Sequence, residues 1–261
     1  MNNYKMEAKT VQTNAFRTLV EALKEVLNDA NLEFDQTGLK IMAMDTSHSV
    51  LVYLKLDADK FEYYKCDKKI IIGVGMLNFF KLIKTMNNND TLTLFIENEN
   101  TNVIGIKIEN EEKNSVTTYR LNLMDLDEED LSLPPANFDS ILTMPSSDFQ
   151  KYCRDMHHIA EVMELKSIGD QLIISCKGDF ASRETVIGPA NSGISFVQNA
   201  DSSEIVQGLF ALKHLVLFTK CTNLCPQIEL YLKNDFPLII RYQVASLGEI
   251  KLALAPQCQM D

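Results

Sequence analysis

Apolar residues recur at Phe16, Leu19, Val20, Leu23, Val26 and Leu27. That spacing gathers side chains on one face of an α-helix. It predicts a helix over residues 13–30, with Thr13 or Asn14 as its cap. The period then changes to two. Val50, Val52, Leu54 and Leu56 alternate with residues of the other face, and Ile70, Ile72 and Val74 form a second such set; both read as strands. A second helix is predicted over 76–86, closed by the turn Asn87-Asn88-Asn89-Asp90. Strands follow at Leu92, Leu94, Ile96, then at Ile104, Ile106, Ile108, then at Tyr119, Leu121, Leu123.

The second half runs to the same plan. Pro145-Ser146-Ser147-Asp148 opens a helix over 146–161 with Ser146 as its cap. A turn at Ile168-Gly169-Asp170 leads into Leu172, Ile174 and Cys176. A helix over 211–221 precedes strands at Ile228, Leu230, Leu232, at Leu238, Ile240, Tyr242, Val244, and at Ile250, Leu252, Leu254. Phe16 and Phe149 are 133 positions apart, Lys84 and Lys220 are 136 apart, and such offsets signal an internal repeat. Between the halves, Asp125-Leu126-Asp127-Glu128-Glu129-Asp130 and Pro134-Pro135 read as an exposed linker. The reading is α+β: two similar tandem domains over 1–122 and 141–261, joined by a linker over 123–140.

Composition narrows the class. The 261 residues suffice for two ordinary domains, and a hydrophobic content of 46% is that of a globular chain. No apolar run approaches the ~18 residues of a membrane span, so no membrane partner is expected. The stretch Met1-Asn2-Asn3-Tyr4-Lys5 is polar and predicts no secretion signal. Six cysteines without framework spacing read as reduced, intracellular thiols.

The net charge of −11 argues against contact with nucleic acid, because phosphates attract Lys and Arg. Distribution reverses that inference. Each predicted helix carries basic residues at one-face spacing: Arg17 and Lys24, Lys81 and Lys84, Lys151 and Arg154 with His158, and Lys213 and Lys220. A charged helix face is usually no more than a solvated one, and Glu21 and Asp155 dilute two of the stripes. All four helices share the feature in an otherwise acidic chain. Lys and Arg hold phosphates without reading sequence, which suits a surface that slides along DNA.

Catalytic signatures are missing. Gly73-Val74-Gly75 lacks the third glycine of a dinucleotide fingerprint. Cys221 and Cys225 have no matching second pair for zinc. Asp125, Asp127 and Glu129 suggest a calcium loop, but Asp130 stands where its glycine belongs and Ala136 where its bidentate Glu belongs. Asp45-Thr46-Ser47-His48 reads as a strand end rather than a catalytic group. No enzyme activity, cofactor or metal is expected.

Several motifs carry a resemblance. Val20-Glu21-Ala22-Leu23-Lys24, Met44-Asp45-Thr46-Ser47-His48, Tyr64-Lys65-Cys66-Asp67, Leu123-Met124-Asp125-Leu126-Asp127, Met144-Pro145-Ser146, Cys153-Arg154-Asp155, Phe218-Thr219-Lys220 and Leu254-Ala255-Pro256 follow one another in order. The chain resembles the proliferating cell nuclear antigen family of eukaryotic and viral DNA sliding clamps. The resemblance implies a homotrimeric ring with sheets outside and helices lining a channel. It implies sequence-independent contact with double-stranded DNA through the nine helix residues named above. It implies, as partners, DNA polymerase and other clamp-binding-peptide proteins, together with an ATP-driven clamp loader. Client peptides would insert a helical turn into a groove formed by Met44, His48, Leu51, Leu131, Leu133, Pro134, Pro237, Ala255 and Pro256. Plain core packing is the competing role for Met44 and Leu51. The trimer interface would pair an edge near 112–119 with one near 182–187, through Tyr119, Arg183 and Thr185. Localisation to the nucleus, or to a viral replication site, is likewise implied. Leu252-Ala253 replaces the aromatic pair usual before Leu-Ala-Pro, which points to a wider or weaker groove. Gly169 stands where the family carries its ubiquitin-accepting lysine. The alternative is a clamp-fold paralogue, an interaction scaffold or heterotrimer subunit that does not encircle DNA.

Overall fold

The computed structural model describes residues 4–127, 131–132, 136–191, 193–198 and 204–257. In chain order the first half contains β1 (Tyr4–Thr10), α1 (Thr13–Val26), β2 (Asp29–Asp35), β3 (Gly38–Met44), β4 (Val50–Asp57), β5 (Tyr63–Cys66), β6 (Ile70–Gly75), α2 (Met76–Ile83), β7 (Thr91–Glu97), β8 (Val103–Asn110) and β9 (Ser115–Asn122). The second contains β10 (Ser140–Pro145), α3 (Ser146–His157), β11 (Val162–Ile168), β12 (Gln171–Lys177), β13 (Ser182–Ile187), β14 (Ser195–Gln198), β15 (Ile205–Ala211), α4 (Leu212–Phe218), β16 (Gln227–Leu232), β17 (Leu238–Val244) and β18 (Gly248–Leu254). Two compact units result. Unit 1 takes residues 1–46, 52–132 and 243–250; unit 2 takes 47–51, 133–242 and 251–261.

The repeat seen in the sequence is a repeat of strand pairing. In unit 1, β1 lies between β5 and β7, and β2 lies between β3 and β6. In unit 2, β10 lies between β14 and β16, and β11 lies between β12 and β15. Each unit thus has an antiparallel frame in which the first strand runs directly into a helix, and the strand ending beside the next hairpin runs into the second helix. Phe16 and Phe149 are each the fourth residue of their helix and are fully buried. The apolar stripe Phe16, Leu19, Val20, Leu23 of α1 is buried, as is Phe149, Cys153, Met156 of α3, so the helices bury one face and leave the other to solvent.

Helix ends differ from expectation. α1 stops at Val26 because Leu27 turns to extended backbone, and Asp29 already pairs with Gly75 in the sheet. Leu27 and Ala30 are buried, so apolar spacing continued past the helix and concealed its end. Neither Thr13 nor Asn14 caps α1: the cap position is Gln12, and the Thr13 hydroxyl donates to the Asn87 carbonyl at 2.9 Å. α2 ends at Ile83, with a tight turn closing from the Met86 N–H to the Ile83 carbonyl at 3.0 Å. Pro145 holds the cap position of α3, and the Ser146 hydroxyl donates instead to the Cys225 carbonyl at 2.6 Å. α3 ends at His157 rather than near 161, because β11 has begun by Val162. α4 starts at Leu212 and ends at Phe218, continuing as a 3₁₀ turn over Thr219–Leu224 that contains Lys220.

The β2–β3 turn depends on one ionised carboxylate. Asp35 accepts hydrogen bonds from the Thr37 N–H and hydroxyl, both at 2.6 Å, and from the Lys40 ammonium at 2.7 Å. Burial pushes the Asp35 carboxyl up, but Lys40 and Thr37 together outweigh it and hold the group far below the usual carboxylate range. A carboxyl depressed in the folded state stabilises it fully above the unfolded value of ~3.9, and that contribution fades as pH falls. Between about pH 5 and pH 2, wild type is therefore expected to lose melting temperature faster than Asp35→Asn. Equal slopes in circular-dichroism melts would remove Asp35 from the account of acid lability.

Candidate nucleic-acid interface

In unit 1, α1 packs on α2 through Phe16 and Phe79, edge to face with ring centres 6.2 Å apart. The four basic residues of these helices divide into two kinds. Lys81 and Lys84 are exposed, with no ion pair among the described residues. Arg17 instead donates to the Met86 carbonyl and, at 2.9 Å, to the Asn14 side chain. Lys24 pairs with Glu25, and its ammonium lies 5.0 Å from the centre of the Phe80 ring. Its side chain is only 14% exposed. Arg17 and Lys24 thus tie α1 to the α2 region, and both have partners that a phosphate must displace. Phe80 was not foreseen as part of this surface. The signal was available: Phe80 lies off the buried Met76, Phe79, Ile83 stripe, where an aromatic residue needs a reason.

In unit 2, α3 packs on α4. Lys151, His158, Lys213 and Lys220 are exposed, again without an ion pair among the described residues. Arg154 bonds Asp155 at 3.3 Å, and Asp155 also holds Arg183 at 3.4 Å. Burial pushes the Asp155 carboxyl up, but Arg183 and Arg154 prevail and lower it. Arg183 also lies over Tyr152, 5.9 Å from the ring centre. Arg183, expected at a subunit boundary, is therefore also part of a network around α3.

Each unit has an open sheet edge. β9 ends the order β5-β1-β7-β8-β9, and β13 ends the order β13-β12-β11-β15. Val116 on β9 is 61% exposed and Val186 on β13 is 52% exposed, which is unusual for apolar side chains on edge strands. Tyr119, Arg183 and Thr185 on the same strands are half-buried.

The residues assigned to a partner groove fall in both units. In unit 1, Met44 and Leu131 are half-buried. In unit 2, His48 is exposed with φ +52°, Leu51, Pro237 and Pro256 are half-buried, and Ala255 is exposed. The Ala255 N–H donates to the Ser49 carbonyl at 3.0 Å, which brings Ala255 beside the His48–Leu51 segment. Met44 and Leu51 thus retain accessible surface while part of each side chain packs inward. Leu133 and Pro134 lie outside the described residues.

Two family models span nearly the whole chain. The proliferating cell nuclear antigen N-terminal domain matches residues 5–130 and the C-terminal domain matches 132–257. The chain belongs to the proliferating cell nuclear antigen family. It is similar to the probable DNA polymerase sliding clamp 1 of Paramecium bursaria Chlorella virus 1, with 35% identity over 259 residues that cover 98% of each chain. Members of the proliferating cell nuclear antigen family are DNA sliding clamps, non-catalytic processivity factors of replication, and this chain carries both tandem domains of that fold. Among the described residues no helix is long and apolar enough to cross a membrane.

Proposed function

We propose that three copies of this chain close into a ring around double-stranded DNA and slide on it. The observation that carries the reading is the set Lys81, Lys84, Lys151, Lys213 and Lys220: five exposed ammonium groups, without an ion pair among the described residues, beside the packed helices of a chain whose net charge is −11. Such groups give weak, salt-screened, sequence-blind attraction to phosphates. Topological linkage then replaces tight binding, and no chemistry is required of the protein itself. Open edges at β9 and β13 support subunit closure by strand pairing across chains. The surface around Met44, His48, Leu51, Leu131, Pro237, Ala255 and Pro256, with Leu133 and Pro134, takes the anchored helical turn of polymerases and other clients. An ATP-driven loader opens the ring. The domains divide at 1–122 and 141–261, and the protein works in the nucleus or at a viral replication site.

Threading is tested without a loader. The protein is allowed to enter linear duplex DNA from its free ends, the ends are blocked with streptavidin, and the DNA is washed in high salt. Retention until a restriction cut reopens the DNA is the expected result. Equal loss from blocked and open DNA overturns encirclement and favours the scaffold alternative.

A further inference from the structure

Two large apolar side chains stand exposed beside the two open edges, each on a corner fixed by a glycine. Phe180, 77% exposed, sits in the turn that leads into β13, two residues before the strand begins. The turn is closed by the Gly178 N–H, which donates to the Ala181 carbonyl at 2.9 Å. A Cβ at Gly178 would stand 1.8 Å from the Ile159 carbonyl oxygen, so the turn lies hard against the segment that follows α3. Met124, 45% exposed, comes two residues after the end of β9. Its N–H donates to the Gly73 carbonyl at 2.8 Å, and a Cβ at Gly73 would stand 2.4 Å from the Met124 carbonyl oxygen. Each corner is held by backbone packing that tolerates no side chain, while its own large apolar group stays in water. A phenyl ring kept in water by a turn so fixed marks a contact surface.

The surface beside Met124 is concave. A cavity of about 700 Å³ opens there, with Ile96, Leu123 and Met124 in its wall and Lys5, Lys69 and Asp125 as its charged groups. Lys69 pairs with Glu33 at 2.9 Å, whereas Lys5 is exposed without an ion pair among the described residues. Asp179, next to Phe180, is likewise exposed without one. One corner thus offers a ring and a carboxylate, and the other an apolar hollow and an ammonium.

The direction of pairing decides which ends meet. The ladders of both units are antiparallel. A joint of the same kind between β9 of one copy and β13 of the next lays the end of β9 beside the start of β13. Met124 and Phe180 stand two residues beyond those ends. We propose that Phe180 of one copy seats in the hollow beside Met124 of the next, with Asp179 toward Lys5. The occupant of the hollow is a second copy of this chain. Backbone hydrogen bonds between strand edges are blind to side chains, so this contact makes the joint selective for the chain's own kind over another clamp subunit. The proposal rests on the ring reading and names the side chain that anchors each joint.

Light scattering over a dilution series gives the concentration at which the trimer comes apart. Phe180→Asp and Met124→Lys, each made alone, are expected to raise that concentration roughly tenfold or more. Both positions are exposed in the single chain, so its fold is kept. The double variant Phe180→Asp/Met124→Lys sets a carboxylate opposite an ammonium at every joint of the ring and recovers most of the loss. Phe180→Asp/Val197→Lys has the same net charge, with its ammonium on β14, and recovers nothing. A short bismaleimide joins Phe180→Cys/Met124→Cys subunits into covalent trimers on a denaturing gel. It leaves wild type, and Phe180→Cys/Val116→Cys with its second thiol at the other end of β9, as single chains. If wild type is a trimer and the double variant is no better than either single one, or the β14 ammonium rescues equally, the anchor is overturned while the ring stands. If wild type is a single chain at every concentration, the ring reading fails and this proposal fails with it.

Discussion

Replacing Lys81, Lys84, Lys151 and Lys220 together by Gln is expected to lower affinity for duplex DNA roughly 100-fold or more at about 100 mM salt, and to abolish retention on end-blocked DNA. The fold should be unchanged, since all four side chains are exposed and none has an ion pair among the described residues. The informative readout is the slope of log affinity against log salt, which flattens by about 0.9 for each phosphate contact removed. Arg17→Gln and Lys24→Gln provide the contrast. Their charges are held by the Met86 carbonyl and Asn14, and by Glu25 and Phe80. Loss of the Lys24 contact with Phe80 is expected to cost about 0.5–1 kcal/mol of unit 1 stability and to leave the salt slope nearly unaltered. Should Lys24→Gln flatten the slope as much as Lys81→Gln, the division into tethered and free cations is wrong.

If three copies close into a ring as proposed, Val116→Asp and Val186→Asp, made separately, are each expected to reduce the native mass in light scattering from three times 29.6 kDa to a single copy. Both side chains are already exposed, so a carboxylate in the isolated chain changes stability by no more than about 0.5 kcal/mol. In a paired edge the same carboxylate loses water and replaces an apolar contact, a penalty large enough to open a ring. Val197→Asp on β14, at a position 68% exposed, is the control and should leave the mass as in wild type. A trimer that survives both edge substitutions would mean that subunits do not join through β9 and β13.

The frame of the fold was legible because strand and helix periods differ sharply. Val50 to Leu56, Ile104 to Ile108 and Leu172 to Cys176 are strands with their alternate residues buried, as their alternation requires. The helix ends were not legible. Leu27 and Ala30 stay buried after α1 has ended, so burial alone carries the apolar pattern through a change of backbone. Ser146 looks like a cap by composition, yet the Cys225 carbonyl claims its hydroxyl from a distant segment. The basic residues were legible as a set, but their partners were not. Glu25 is adjacent to Lys24 in sequence and could have been foreseen; Met86 and Phe80 reach Arg17 and Lys24 only through the packing of α1 on α2. The Asn234 bonds to the Ile205 carbonyl and the Gln207 N–H left no trace in the sequence, because they join segments some thirty positions apart.

The repeated pairing scheme bears on how this protein can change over generations. A duplicated module written into one reading frame keeps its hydrogen-bond ladder while its two copies accumulate different surfaces. The second helix of one copy has gained Phe80 as a seat for Lys24, and the first helix of the other has drawn Arg154 and Arg183 to Asp155. Neither arrangement has a counterpart among the described residues of the other half. Selection on a single gene therefore has two semi-independent templates to work with, and a substitution tolerated in one half does not foretell tolerance at the matching position of the other.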